Sequence, residues 1–326
     1  MATALPGPRS VPTMYFIGVT TTQSSIMRVF PRWAEALGIE AELVGVDFAL
    51  HDEPHRYHAM VEHIKHDPLS LGALVTTHKL DLLEAARPLF DELGPYASKL
   101  GEISCIAKRD TRLIGRAMDP ITSGMALDAF VPPWHWNSDA EMLLLGAGGS
   151  SLALSVNLVE RAQRGELHPK RIVVTNRSAR RLEEMQAIHR QMPCPLPIEY
   201  VLAPTPTEND AVCAGLAPGS VIANATGLGK DRPGSPVTDN VRFPAGACVW
   251  DFNYRGDLDF LQQARAQQSA RNLVIEDGWI YFIHGWTRVI SEVFQVEIAS
   301  TGPELEKLAH IAAAVRTAPG GTSHVH

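Results

Sequence analysis

A two-domain α/β fold is what the sequence predicts, on three observations. Strand-like apolar runs alternate with helix-like segments from Met14 onward, a glycine-rich turn breaks the apolar run Met142–Leu145, and Pro132-Pro-Trp-His-Trp136 marks a shift of composition between the halves. In the first half, Met14–Thr20 and Glu42–Phe48 read as strands around a helix Ile26–Leu37, and Leu71–Thr76 as a third strand before a helix Leu80–Phe90. Ile103–Ala107 and Arg112–Gly115, separated by Lys108-Arg-Asp-Thr111, read as a hairpin. The boundary is expected between about Asp128 and Asp139, and the strands after the glycine-rich turn at Arg171–Thr175, Ile198–Ala203, Ser220–Ala225, Ala247–Phe252 and Asn272–Ile275. The expected organisation is a loose N-terminus over 1–13, a first domain over 14–130, a second over 131–277, a C-terminal stretch over 278–317 and a loose tail over 318–326.

Composition excludes several classes of function. With 326 residues and 45% hydrophobic content the chain can bury two cores, and a formal net charge of -7 gives no basic face for nucleic acid or an anionic membrane. No apolar run reaches the ~18 to 20 residues needed to cross a bilayer. Cys105, Cys194, Cys213 and Cys248 have neither disulfide nor metal spacing, so a reduced, cytoplasmic setting without metal is expected. His324 and His326 form an H-x-H on the tail, which without supporting groups is read as unliganded. His51, His55, His58, His63 and His66 read as a solvated helix face. Trp279, Tyr281, Phe282 and Trp286 read as core or cleft wall, since no basic stripe accompanies them.

The glycine-rich turn carries the cofactor reading. Leu145-Gly146-Ala147-Gly148-Gly149-Ser150-Ser151 places Gly146 at a sharp turn, Gly148 where a pyrophosphate would approach the backbone, and Ser151 where a third small residue allows close helix packing. The helix beginning near Gly149 would direct its N–H groups at phosphate. The next strand ends in Asn176-Arg177-Ser178, where a carboxylate would bind a free ribose 2′-hydroxyl. Arg177, with Arg181 one turn on, instead offers planar cations suited to a 2′-phosphate, which favours NADP over NAD.

Two segments of the first half stand out chemically. Leu74-Val-Thr-Thr-His-Lys79 brings hydroxyls, an imidazole and an amine to the C-terminal end of a strand, where open α/β sheets present ligand groups. Gly115-Arg-Ala-Met-Asp119 delivers a carboxylate from a loop, and a lysine and an aspartate sharing a site could transfer protons. Residue types alone do not pair them: a surface lysine and a helix-capping aspartate give the same pattern.

In order along the chain, these residues resemble the shikimate and quinate dehydrogenases. Gly18-Val-Thr-Thr-Thr-Gln-Ser24 is similar to that family's opening carboxylate-binding motif, Val75-Thr-Thr-His-Lys79 to its catalytic-lysine motif, and Leu100-Gly-Glu-Ile-Ser104 stands where it has Gly-Ala-Val-Asn. Asp119 matches the aspartate of its Asn-Thr-Asp-Gly motif, and Gly146–Ser151, Asn176–Ser178, Asn224-Ala-Thr226 and Asp251-Phe-Asn-Tyr254 match its cofactor half and hinge. The resemblance implies a Rossmann-type NADP domain over 131–277, a substrate-binding and catalytic domain over 14–130, and C-terminal helices over 278–317 that return to the first domain. It implies Lys79 and Asp119 as catalytic pair, and Ser24, Thr76, Ser104, Tyr254 and His284 around the substrate. Thr226 and Gly278 would join the cofactor site.

Departures concentrate around the substrate. Ile26 takes the register of a second serine, with Ser25 shifted by one, and the lysine motif is one residue short, so either Thr76 or Thr77 could fill the threonine role. Ser104 replaces an asparagine, Met118 and Pro120 replace polar or glycine neighbours of Asp119, and Gly285 stands where a glutamine is usual, after His284. The expected activity is NADP-dependent oxidation of a secondary alcohol in a hydroxylated cyclic acid, with shikimate first and quinate or another hydroxy acid next. The expected partner is that small molecule, with homodimer formation left open. A bifunctional folate-type dehydrogenase and an idle NADP-binding sensor are the competing readings, and the retention of both Lys79 and Asp119 speaks against the sensor.

Overall fold

Two six-stranded sheets organise the chain, one in each of two compact units, Met1–Met118 with Gly285–His326 and Asp119–His284. The computed structural model describes residues 4–193, 195–230 and 232–317, so Cys194 and the tail with His324 and His326 lie outside the described residues.

In the first unit β1 (Thr13–Gly18) lies between β2 (Glu42–Asp47) and β3 (Ser70–Val75), parallel to both. All six β1 residues are buried, as a central strand covered on both faces requires. The hairpin β5 (Cys105–Arg109) and β6 (Arg112–Arg116) adds antiparallel to β3, and a two-residue β4 (Glu92–Leu93) closes the order β2-β1-β3-β5-β6-β4. No periodicity could have revealed β4, because two residues carry none. Helices α1 (Ile26–Leu37), α2 (Pro54–His66), α3 (Lys79–Ala86) and α4 (Pro95–Leu100) follow the strands. Tyr57, Met60, Val61 and Ile64 of α2 and Leu82 and Leu83 of α3 pack with Tyr15, Ile17 and Val75 in one core.

Two expectations about this unit are corrected. Segment 1–13 is not loose throughout: Arg9 donates from Nε to Thr13 Oγ1 (3.1 Å), pairs with Glu42 and gives its backbone N–H to Asp67. His63 is not on a solvated face, because its Nε2 meets the Tyr15 hydroxyl at 2.9 Å, and burial lowers its pKa.

The C-terminal chain belongs to the same unit from Gly285 on, through the rest of α11 (Trp279–Phe294) and α12 (Pro303–Thr317). Trp33 of α1, fully buried, donates its indole N–H to the Leu308 carbonyl at 2.8 Å, and Phe30 lies 6.1 Å from Phe294. Arg116 and Arg109 at the hairpin share Glu292 at 2.9 and 3.1 Å. The expected return of the C-terminal helices is therefore present as packing and as ion pairs.

The second unit holds a sheet that is parallel throughout, in the order β12-β11-β10-β7-β8-β9. Its strands are β7 (Met142–Leu145), β8 (Ile172–Asn176), β9 (Ile198–Leu202), β10 (Val221–Asn224), β11 (Cys248–Asp251) and β12 (Val274–Glu276). Chain order reverses at β7, between β8 and β10, and such a switch point opens a crevice at the carboxyl ends of the strands. Helices α5 (Asp119–Phe130), α6 (Gly149–Gln163), α7 (Ala179–His189), α8 (Pro206–Ala214), α9 (Asp259–Arg265) and α10 (Gln268–Arg271) complete it. The division of the chain falls at Met118, ahead of the Asp128–Asp139 stretch, because α5 packs on α6, where Arg161 grips Asp128 with two bonds of 2.7 Å. No helix among the described residues is long and apolar enough to cross a membrane.

Trp33 tests the C-terminal return. Trp33→Ala empties a fully buried site and is expected to cost about 3 to 5 kcal/mol in a denaturant titration, whereas Trp33→Phe, which mainly leaves the Leu308 carbonyl without its donor, should cost about 1 to 3 kcal/mol. A loss under about 1 kcal/mol for the alanine variant would contradict this packing.

Candidate active site

In the first unit the groups of interest gather at the carboxyl ends of β1 and β3. Gly18 ends β1, and the loop after it is fixed by Thr21, which donates both its N–H and its hydroxyl to Asp47 Oδ1 at 2.7 Å. Ser24 is half-buried and closes this loop by donating its N–H to Thr21 at 3.0 Å. Ile26, in the register of a serine, is fully buried in α1, and Ser25 caps that helix half-buried.

The lysine motif is shortened by a tight turn. Thr76 hangs its N–H on Ile17 O at 2.9 Å and sets its methyl where a Cβ on Gly18 would come within 3.1 Å. The His78 N–H then returns to the Thr76 carbonyl at 2.6 Å, with Thr77 exposed in the left-handed region at φ 64. Of the two threonines, Thr76 is the one placed against Gly18.

His78 is buried and engaged at both nitrogens. The Gly18 carbonyl can only accept, so Nε2 donates to it (3.3 Å), and Nδ1 accepts from the Tyr57 hydroxyl (2.9 Å), which in turn accepts the Asp52 N–H (3.2 Å). Burial lowers the His78 pKa against the opposing pull of the Gly18 carbonyl, Asp81 and Asp52. Lys79 opens α3 partly buried, and burial lowers its pKa too, opposed by the charge of Glu102. Ser104 is buried with its hydroxyl accepting the Met118 N–H at 2.8 Å. Glu102 was not singled out by residue type, and its signal is a charge in a step that the resembling family fills with alanine.

In the second unit Asp119 is the first residue of α5, a favourable end for a carboxylate, and its carbonyl accepts the Ser123 hydroxyl at 2.7 Å. Gly146 turns at φ 100, with a Cβ there only 3.1 Å from Thr226 Cγ2. Gly148 and Gly149 are exposed, with nothing nearer than 4.0 Å to an added Cβ, and Ser150 is half-buried. Ala147 and Ser151 are buried, and the Ser151 hydroxyl bonds the Gly146 carbonyl. Asn176 Nδ2 donates to Ser178 O (3.1 Å), and Arg177 and Arg181 are exposed. Arg181 and Arg180 both pair with Glu184 at 3.1 Å, whereas Arg177 has no ion pair among the described residues.

A polar network lies at the ends of β10 and β11. Thr226 gives its hydroxyl (2.6 Å) and N–H (3.0 Å) to Asn224 Oδ1, and Asn224 Nδ2 donates to buried Asp251 at 2.9 Å. Asp251 also accepts the Asn253 N–H at 2.8 Å, and burial pushes its carboxyl up to about 6. Gly278 donates its N–H to Asn253 O at 3.0 Å, and an added Cβ would fall 2.1 Å from Phe252 O. Tyr254 lies 5.3 Å from Trp279 and 5.0 Å from Phe282, and His284 is buried. Among the described residues no cluster could hold a metal ion.

His78 supplies a pH test of this geometry. Its imidazole should titrate below about 6.5 by NMR. A depressed folded pKa contributes stability that is present above the unfolded value and lost as pH falls through the folded one, so His78→Gln should flatten the acid limb of stability below about pH 6.5. A midpoint at or above about 6.5 would show the ring free of these constraints.

No family model matches the chain. A shikimate dehydrogenase (NADP(+)) of Streptococcus thermophilus is 28% identical over 189 residues, 57% of this chain and 61% of the relative, so this match spans under two thirds of the relative's length. One from Rhodopseudomonas palustris is 29% identical over 280 residues, 82% of this chain and 85% of the relative. Among solved structures, quinate dehydrogenase from Corynebacterium glutamicum in complex with NAD superposes with a TM-score of 0.73 at 18% identity, covering 93% of this chain and 99% of that one. Shikimate 5-dehydrogenase from Thermus thermophilus in complex with NADP(H) and shikimate gives 0.68 at 19%, covering 93% and 99%. In sequence the chain is similar to shikimate dehydrogenases (NADP(+)), and in fold to solved shikimate and quinate dehydrogenases.

Proposed function

We propose that the chain is an NADP-dependent dehydrogenase that interconverts a secondary alcohol and a ketone of a compact hydroxylated cyclic acid, such as shikimate or quinate. The observation that carries this reading is Lys79, a partly buried lysine at a strand end whose ammonium is driven below its ordinary range. Such a lysine gives up its proton more readily than an exposed one, as a proton-transfer group requires. The dinucleotide, when bound, supplies the two-electron acceptor or donor.

Every other step falls to the chain's own residues. Lys79 takes the proton from the substrate hydroxyl in oxidation and returns it in reduction. Asp119 is the carboxylate that acts with it. Ser24, Thr76 and Ser104 orient the substrate, with Ser104 acting through the hydroxyl hydrogen that its bond to the Met118 N–H leaves available. Tyr254 and His284 are assigned to the same substrate.

The glycine turn fits a dinucleotide. The open approach at Gly148 and Gly149 leaves the backbone N–H groups at the start of the 15-residue α6 available to phosphate. Ala147 and Ser151, being buried, shape this turn, while Gly146, Thr226 and Gly278 hold the neighbouring strand ends. Asn176, Arg177, Ser178 and Arg181 are assigned to the ribose end. Arg177, unopposed by a carboxylate among the described residues, is the principal 2′-phosphate ligand, and the NADP(+) in the names of the similar shikimate dehydrogenases supports the choice.

Two experiments test this function. NADP should bind more tightly than NAD by calorimetry, and Arg177→Ala should remove most of the difference, since charge-assisted phosphate contacts are the strong ones. Equal dissociation constants in the unmutated protein would refute the cofactor assignment. Lys79→Ala should lower turnover on the best hydroxy acid by about 10² to 10⁴ while NADP affinity stays nearly constant. Asp119→Asn should also lower turnover, with the double variant losing far less than the product of the two effects. Near-normal turnover in Lys79→Ala would exclude the lysine as the proton-transfer group.

A further inference from the structure

Arg288 is a cation that the proposed chemistry has not used. It stands on the part of α11 that belongs to the first unit, where buried Trp286, Thr287, Val289, Ile290 and Val293 seat the helix on the sheet. Trp286 meets Phe16 of β1 edge-on at 5.0 Å, and Val293 lies 3.0 Å from where a Cβ on Gly72 of β3 would sit. The Phe16 ring also lies 3.8 Å from where a Cβ on Gly18 would sit, beside the Thr76 methyl at 3.1 Å. This part of α11 therefore begins near the strand ends that carry Gly18 and Thr76, and runs back toward the start of β3.

Gly285, Arg288 and Glu292 are spaced so that they share one stripe of the helix, and all three are half-buried. Glu292 is spoken for: its Oε1 accepts from Arg116 at 2.9 Å and from Arg109 at 3.1 Å. Glu92, which Arg116 also approaches at 3.9 Å, is held by Arg112 at 3.4 Å. Among the described residues the Arg288 side chain has neither ion pair nor hydrogen bond, and its Nε is buried without a partner. A guanidinium keeps its charge, so a buried N–H on it is costly until an acceptor arrives.

The approach for that acceptor is open. Side chains on a helix lean toward its N-terminus, so the patch that Arg288 covers lies over the turn holding Gly285. Gly285 has no side chain, and even a Cβ there would meet nothing within 4 Å. The planar fork of a guanidinium matches a carboxylate, and one uncommitted cation matches its single negative charge, whereas a phosphate dianion would exceed it.

We propose that Arg288 binds the carboxylate of the substrate in the space over Gly285, and thereby selects acids against neutral molecules of the same ring and hydroxyl pattern. The identity of the ligand as the substrate rests on the dehydrogenase reading above; the carboxylate site itself does not.

The first measurement needs no turnover. Cyclohexanecarboxylate and cyclohexanecarboxamide differ only in the group that Arg288 would hold, and the affinity of each for the protein in the presence of NADP is read by ligand-observed NMR. The acid should bind about tenfold or more tightly than the amide, and Arg288→Gln and Arg288→Met should each abolish the difference. Arg288→Lys, which keeps the charge and loses the planar fork, should retain part of it. Because the two neutral variants remove an unpaired buried donor, the melting temperature of the ligand-free protein should hold or rise in both. No preference for the acid in the unmutated protein, a preference that survives in the neutral variants, or a melting temperature lowered by several degrees in both overturns the proposal.

The second measurement uses shikimate and quinate in the NADP-linked assay. Arg288→Met should raise KM for the acid that is turned over by about tenfold or more, with a smaller change in kcat. Turnover with an unchanged KM overturns the proposal and leaves the dehydrogenase reading standing. If neither acid is turned over while the preference for the carboxylate probe is present and lost in the neutral variants, the dehydrogenase reading fails and the carboxylate site stands.

Discussion

The turn from Thr76 to Lys79 is the constraint on which the first unit's chemistry depends. Its closing bond, from the His78 N–H to the Thr76 carbonyl, forces Thr77 to φ 64, where a β-branched residue is strained by about 1 to 3 kcal/mol. The return is positional. Thr76 stays on Gly18, His78 turns its ring back to the Gly18 carbonyl, and Lys79 becomes the first residue of α3. One carbonyl, that of Gly18, takes both the Phe48 N–H and the His78 ring, so the opening loop, the edge strand and the lysine helix share an anchor.

That placement decides the electrostatics. Burial acts against the ammonium of Lys79, and a helix N-terminus is the wrong end for a cation. Both effects favour the neutral amine. A carboxylate is the natural opposing charge, and Glu102 is delivered by the same residues that tie β3 to β6. In the second unit the same physics runs with the opposite sign of charge. Asp251 is fully buried and driven toward its neutral form, and its acceptors hold the Asn224 and Asn253 amides that in turn order Thr226 and Gly278.

How much of this was legible in the sequence follows from how local each signal is. The strands other than β4, and α1, were readable because apolar runs and helical spacing are properties of a short window, and the glycine turn because the φ of 100 at Gly146 is a demand on one residue. His63 was misread because its burial comes from Tyr15 and Ser70, distant in sequence. The division at Met118 was missed because it depends on α5 choosing α6 as its neighbour, which no composition shift records. Within the candidate site, Lys79 and Asp119 could be named from motif order, but Glu102 could not be told from a solvated glutamate. Only the fold shows it buried beside the lysine segment.

The distribution of departures from the resembling family has a physical logic of its own. At Gly146, where the backbone turns at φ 100 and a Cβ would come within 3.1 Å of Thr226 Cγ2, few residues fit and the pattern is kept. Where it must present side chains, the pattern has moved: Ile26 has joined the core of α1, the hydroxyl of Ser104 is tied to Met118, and a charge has entered at Glu102. A core isoleucine cannot greet a polar ligand. The backbone frame of the first unit is thus kept, while the side chains at these positions differ from those of the resembling family.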